Sequence, residues 1–341
     1  MDRKEFAQIL NNTIVPEGTD NNTCQGIIRP LCSALIEMMP GSLFRYRYCS
    51  ELNFDAFDND LIFTVTADKF NDPYDTLLGY NIDSIFKQID IYSSKEFLLL
   101  LKEAMLNGLV FPQNIVQFFG EANLTQLREQ IISCDNFDNL RINDFNVIMK
   151  MFCLINAKQL ESTLKYVSTI ACFSEDIHSV TMWSHYAQNH EGFALEYNMA
   201  PLLTEGDNSI FPVIYGDERN DSSTLFAWCI AKAIGLDVKN PDEFAHYKLM
   251  LHKATEWAYE KEWRVIQKQT DGLNQSKVNS FEMKPIAIYY GNRISPINKK
   301  RLHMLAQKKG INEYDMIIDP ASPKYEMKYR HIRGHQEREG A

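Results

Sequence analysis

No run of apolar residues in this chain is long enough to cross a bilayer: stretches such as Phe97-Leu98-Leu99-Leu100-Leu101 fall far short of the roughly 20 residues a spanning helix needs. Met1-Asp2-Arg3-Lys4-Glu5 lacks the apolar segment of a secretory signal. The expected compartment is therefore the cytoplasm, with no membrane partner. Cysteine is sparse and unpatterned. The seven residues, at 24, 32, 49, 134, 153, 172 and 229, include no Cys-x-x-Cys pair and are odd in number, which points to reduced thiols. There is no Pro-, Gly- or Ser-rich linker, no internal repeat and no low-complexity tract, so no domain boundary is marked. Positive charge is also in deficit. With 35 Lys and Arg against 45 Asp and Glu, the formal net charge is −10. That balance opposes a non-specific grip on nucleic acid or on an anionic membrane. A local basic groove around Lys248, Lys253, Lys261 and Arg264 stays open, beside the reading of those residues as a solvated helix face.

What is present is core material: 45% hydrophobic, 12% aromatic and 23% charged residues describe a globular chain of 341 residues. Leu43-Phe44-Arg45-Tyr46-Arg47-Tyr48 alternates bulky and basic residues at period two, which predicts a strand with Arg45 and Arg47 on one face. A second strand is expected over 61–66. It leads into the turn-rich loop Phe70-Asn71-Asp72-Pro73-Tyr74-Asp75. From 82 to 166 the apolar spacing becomes helical, notably over 95–107, 124–133 and 144–155, and predicts a helical insertion in a single domain spanning 1–341. Strand character returns at 167–174 and 192–197, and again at 262–267, 285–290 and 314–318. A helix over 297–308 is expected among the last three. Asn240-Pro241-Asp242-Glu243 predicts a helix start, with Phe244, Tyr247, Leu251, Ala254 and Ala258 as its buried stripe. The expected architecture is α+β.

The string Tyr259-Glu260-Lys261-Glu262-Trp263-Arg264 stands where helical spacing gives way to alternation. On a strand, Glu260, Glu262 and Arg264 would share one face, with Trp263 and Val265 on the other. Two carboxylates so close are costly without a use. The ordinary structural reading is a solvated strand edge.

In order along the chain, Leu43-Phe44-Arg45-Tyr46-Arg47, Asn71-Asp72-Pro73, Cys172-Phe173-Ser174, Met182-Trp183-Ser184-His185-Tyr186, Gly192-Phe193 and Glu260-Lys261-Glu262-Trp263-Arg264 resemble the motifs of a large bacterial domain-of-unknown-function family. More loosely, the chain is similar to the ADP-ribosyltransferase fold, a split mixed and antiparallel sheet. The arginine–serine–glutamate class of that fold carries a cation on an early strand, a serine ending a middle strand and a Glu-x-Glu near a late one. The resemblance implies Arg45 or Arg47 as the cation, Ser174 as the hydroxyl, and Glu260 and Glu262 as the acidic pair. The middle motif departs from the usual Ser-Thr-Ser. The related histidine–tyrosine–glutamate class would want a histidine on the first strand, where there is none.

The implied substrate is NAD, whose nicotinamide–ribose bond breaks through an oxocarbenium-like state, as glycosides do. Glu262 would stabilise the growing positive charge and Glu260 would position or deprotonate the acceptor. An arginine suits the pyrophosphate, Ser174 could brace the glutamate or the ribose, and Trp183 or Tyr186 could stack on nicotinamide. The implied role is a toxin or antiphage-defence effector, either an ADP-ribosyltransferase or an NAD glycohydrolase, with a protein or nucleic-acid acceptor and an antitoxin or regulatory partner. Each residue has a plainer reading: Arg45 and Arg47 paired with Asp72 or Asp75, Ser174 capping a turn, Trp183 and Tyr186 as helix-face core. Two other functions compete. One is a non-enzymatic sensor or interaction module; the other is a metal-dependent hydrolase or nuclease using His178, His185 and His190 with Glu191 or Asp176, although the five-residue step from His185 to His190 matches no compact zinc motif.

Overall fold

Period-two alternation builds most of the strands, and the sheet they form forks beside the first one. The computed structural model describes residues 1–77, 79–81, 95–137, 160, 163–203, 209–233, 238–269 and 275–332. Its strands are β1 (Leu43–Arg47), β2 (Leu61–Thr66), β3 (Ser168–Ser174), β4 (Phe193–Tyr197), β5 (Ser209–Pro212), β6 (Ile214–Gly216), β7 (His252–Ala254), β8 (Glu262–Lys268), β9 (Val278–Glu282), β10 (Ala287–Tyr290), β11 (Asn312–Ile318) and β12 (Met327–His331). The main sheet runs β12-β11-β10-β4-β1-β3-β2-β9, with β8 on β3 and β5 on β8. Among the described residues, β10 and β11 are its only parallel pair. β6 and β7 form a separate parallel pair. The fold is thus mixed α+β with a mostly antiparallel sheet.

One edge of β3 pairs with β8 along its whole length, from Ser168 opposite Lys268 to Ser174 opposite Glu262. The other edge is shared. β2 takes Thr169 and Ile170, while β1 touches only Ser174, through Phe44. β1 and β2 therefore splay apart over Ala171–Phe173, and a cleft opens between them. Gly192 sets the far end of β1, because a Cβ there would stand 2.1 Å from the Arg47 carbonyl oxygen. Gly192→Ala is expected to push that backbone aside and to destabilise the fold by about 1 to 3 kcal/mol, as overpacking does. Urea denaturation of the two proteins measures the difference.

Aromatic residues hold the two faces of this sheet. Phe54, Phe57, Phe193, Trp263 and Tyr290 belong to one apolar core, and Tyr46, Trp183 and Tyr289 to another. The helices Lys95–Leu106, Gln113–Phe119 and Glu121–Ser133 match two of the helical stretches expected between 82 and 166; the third, over 144–155, lies outside the described residues. Their buried Leu98, Leu101, Ile115, Leu124 and Ile131 join Leu225, Phe226 and Leu249 in a third cluster.

The helix expected to start at Asn240 starts later and ends sooner, spanning Ala245–Leu251. Tertiary partners explain the shift. The Asp242 carboxylate accepts from the Phe244 N–H (3.0 Å), but also from the Val15 N–H (3.2 Å) and the Lys248 ammonium (2.7 Å). Beyond Leu251 the chain turns into β7, and residues 255–260 form a 3-10 turn instead of the expected Ala254–Ala258 helix face.

Candidate active site

The fork of the sheet holds a cavity of about 620 Å³, lined by β1, β2, β3, the loop after β2, the helix Val180–Tyr186, Lys253 and the turn into β8. Arg45, Arg47, Ser174, Tyr186, Glu260 and Glu262 all line it. Trp183 does not. Its ring is fully buried, packed edge-to-face on Tyr46 at 5.1 Å and donating its indole N–H to the Ile177 carbonyl (2.8 Å). The stacking role expected for Trp183 is therefore corrected: helical spacing turns it into the core while Tyr186, three residues on, faces the cleft.

Glu260 is not on a strand. It ends the 3-10 turn Thr255–Glu260, and Lys261 then takes a left-handed conformation at φ 44° before β8 begins. That reversal brings Glu260 and Glu262 together over the ammonium of Lys253, at 2.6 and 3.2 Å. The solvated strand edge considered for this string is overturned. Glu260 and Glu262 are 4% and 3% exposed, because β8 lies between β3 and β5. As alternation requires, Arg264 shares the Glu262 face and Trp263 is buried on the other.

Arg264, 0% exposed, is the hub of the acidic wall. Its guanidinium donates to Glu262 through Nε (2.8 Å) and Nη2 (3.1 Å), to both oxygens of Asp75 (2.8 and 2.6 Å), and to the Met250 carbonyl (2.5 Å). Glu260 takes the other cation and the Tyr186 hydroxyl, which in turn accepts from the Asn71 amide (3.2 Å). The Ser174 hydroxyl donates to the Glu260 carbonyl (2.6 Å) and accepts from the Asp176 N–H (3.2 Å), so it braces the turn that carries Glu260.

These partners drive the two carboxyls apart. Burial alone would raise the pKa of Glu262, but Arg264 and Lys253 outweigh it and hold the group well below the usual carboxylate range. For Glu260 the balance reverses: burial and the neighbouring charge of Glu262 outweigh Lys253 and Tyr186, and the pKa rises. Such separation is what lets two neighbouring acids take different roles. Burial, reinforced by Glu262, pushes the Cys172 thiol well above its ordinary value, which favours the neutral thiol.

The opposite wall is basic and unsatisfied. Arg45 reaches across the fork from β1 to donate to the Phe63 carbonyl of β2 (2.5 Å) and lies 5.5 Å from the centre of the Phe173 ring, yet its Nε and Nη1 are buried without a hydrogen-bond partner. Arg47 spends one nitrogen on the Tyr46 carbonyl (2.8 Å), and burial lowers its pKa. The pairing of these arginines with Asp72 or Asp75 is thereby corrected: Asp75 belongs to Arg264, and Asp72 accepts from the Tyr74 N–H. Buried polar groups are nearly always satisfied. Arg45 thus lines the cavity with two buried guanidinium nitrogens that no hydrogen bond satisfies.

The competing arrangements do not assemble. His178 contacts the Met327 carbonyl, His185 the Tyr259 hydroxyl and His190 the Ser184 hydroxyl. Among the described residues, no three His, Cys, Asp or Glu side chains are grouped to hold a metal ion. Nor do Lys248, Lys253 and Arg264 make a basic groove, since each is buried in ion pairs. Among the described residues, no helix is long and apolar enough to cross a membrane.

Lys253, Asp75 and Arg264 were not foreseen as site residues. Arg264 could have been, being two residues from Glu262 in the same alternating string. Lys253 was read only as part of a basic groove or a solvated helix face, and nothing in its local spacing placed it under the two carboxylates. No curated protein and no solved structure matches the chain significantly. Residues 182–265, which hold the Met182–Tyr186, Gly192-Phe193 and Glu260–Arg264 motifs and the Lys253, Glu260, Glu262 and Arg264 part of the acidic wall, match the model of a family described as protein of unknown function (DUF2971).

Proposed function

We propose that the cavity binds NAD and cleaves its nicotinamide–ribose bond, either transferring ADP-ribose to an acceptor or releasing it to water. The observation that carries this reading is the buried Arg45, with two unpartnered nitrogens, facing a wall that holds Glu260 and Glu262. A pyrophosphate meets the bidentate preference of guanidinium groups at one end. At the other end, an anion that stays ionised supports a ribosyl centre turning cationic. In this reading, the fork between β1 and β2 is the counterpart of the split sheet that the resemblance to ADP-ribosyltransferases implies.

In the reaction, the bond between the ribose anomeric carbon and the nicotinamide nitrogen breaks, and its electron pair leaves with nicotinamide, which becomes neutral. Glu262, fixed by Arg264 and Lys253, stabilises the developing ribosyl cation. The acceptor attacks that carbon as its proton passes to Glu260. Tyr186 keeps Glu260 in place by its hydroxyl and Ser174 does so through the backbone.

The cavity offers a second reading, as a nucleotide-binding sensor that does not turn its ligand over. Its support is that Glu260 and Glu262 already have hydrogen-bond partners on both oxygens within the protein. Either reading predicts that ADP-ribose binds. Arg45→Met is expected to weaken that binding by about tenfold to a hundredfold, the effect of losing one charge-assisted contact. Isothermal titration with ADP-ribose against the two proteins measures it, and equal affinities would remove Arg45 from the site.

A further inference from the structure

The acidic wall carries one more anion than cation: the carboxylates of Asp75, Glu260 and Glu262 face the Lys253 ammonium and the Arg264 guanidinium. The deficit is shared unevenly. Arg264 serves Asp75 and Glu262 at 2.6 and 2.8 Å and does not reach Glu260. Lys253 stands nearest Glu260 at 2.6 Å, then Glu262 at 3.2 Å and Asp75 at 3.7 Å. Glu262 therefore has two cations and Glu260 has one. Lys253 itself is held from behind, its ammonium lying 4.6 Å from the centre of the Trp257 ring.

We propose that Lys253 is a positioning residue: its ammonium keeps Glu260 ionised and aimed at the cavity, ready to take the acceptor's proton, while Arg264 fixes Glu262 as a permanent anion. This rests on the NAD reading for the identity of the acceptor reaction, but not for the electrostatic arrangement. When the acceptor's oxygen–hydrogen or nitrogen–hydrogen bond breaks and its new bond to the ribose carbon forms, the proton ends on Glu260. The surplus negative charge of the wall is then discharged. Without Lys253, Glu260 would face Glu262 with only the Tyr186 hydroxyl in compensation, and like charges in a buried site favour protonation of one partner. A Glu260 already protonated has no capacity to act as base. The groups that face it from each packed element are Lys253 on β7, Glu262 on β8 and Tyr186 on the helix Val180–Tyr186, with Tyr259 preceding it in the chain.

The test is the titration of Glu260 in the ligand-free protein, followed by carboxyl-carbon NMR and compared among wild type, Lys253→Met, Tyr186→Phe and Glu262→Gln. The Glu260 midpoint is expected to rise by about 1 to 3 pH units in Lys253→Met, the range for loss of a close opposite charge. It is expected to rise less in Tyr186→Phe and to fall in Glu262→Gln, where the like charge is gone. Should Lys253→Met not fold, Lys253→Gln, which keeps a polar donor without the charge, carries the same test, with a rise of the Glu260 midpoint expected. An unchanged Glu260 midpoint in folded Lys253→Met, or a rise in Glu262→Gln, would overturn the inference. In a parallel assay of nicotinamide release, the acid limb of the pH profile is expected to move up with the Glu260 midpoint in Lys253→Met; a limb that stays put while the midpoint moves would overturn the role of Glu260 as base. Because the titration needs no NAD, failure of the electrostatic arrangement is distinguishable from failure of the NAD reading, which shows as no nicotinamide release by wild type.

Discussion

Arg264→Met is expected to destabilise the protein by about 3 to 5 kcal/mol, the usual cost of removing one partner from a buried ion pair. Arg264 is fully buried, and its loss strands Asp75 and Glu262 in a low-dielectric wall. It also removes the donor to the Met250 carbonyl, on the helix that precedes β7. Methionine fills much of the space, so the effect is mainly electrostatic. The matched control is Lys261→Met. Lys261 is in the same string but half exposed, paired at 3.0 Å with Asp176, and its loss is expected to cost no more than about 1 kcal/mol. Urea denaturation of both variants measures the contrast. Equal losses would mean that the wall is not organised around Arg264.

The second large effect is on turnover. Glu262→Gln is expected to lower nicotinamide release by a factor on the order of 10² to 10³, comparable with removal of one preorganised electrostatic group. The amide keeps the shape of the side chain and can still accept from Arg264. What it lacks is the charge that meets the developing ribosyl cation. Because that charge matters only as the transition state forms, kcat should fall with little change in KM. Glu260→Gln is expected to act on a different step, reducing transfer to the acceptor by a factor of about 10² to 10⁴, the range for a general base. A variant pair with the same defect in both assays would contradict the division of labour between the two carboxyls.

Period-two signals in this sequence were strong where one face of a strand is buried and the other is not. β1, β2 and β11 were legible for that reason, and the helix Pro296–Lys309 was legible from its own apolar spacing. β9 and β12 were not, because most of their residues face solvent and carry little alternation. At the site, Arg45, Arg47, Ser174, Tyr186, Glu260 and Glu262, which the resemblance singled out, all line one cavity. Two things were hidden. A helical stripe assigns neighbours to a face without saying which side the core lies on, so Trp183 and Tyr186 were indistinguishable. Long-range capture of a cap was invisible too: Asp242 is held by Val15 and Lys248, which ends the local logic that read a longer helix, and Lys253 was consequently placed on a solvated face instead of under two carboxylates.

The most direct measurement is nicotinamide release by the purified protein from NAD labelled in its adenylate moiety, in the presence of a bacterial cell extract, with Glu262→Gln alongside. Release by the wild type that collapses in the variant is the predicted result, and label in a protein or nucleic-acid fraction would identify the acceptor class, whereas free labelled ADP-ribose would identify a glycohydrolase. NAD left intact by the wild type, with nicotinamide no higher than in the variant, would contradict NAD cleavage at the fork of the sheet.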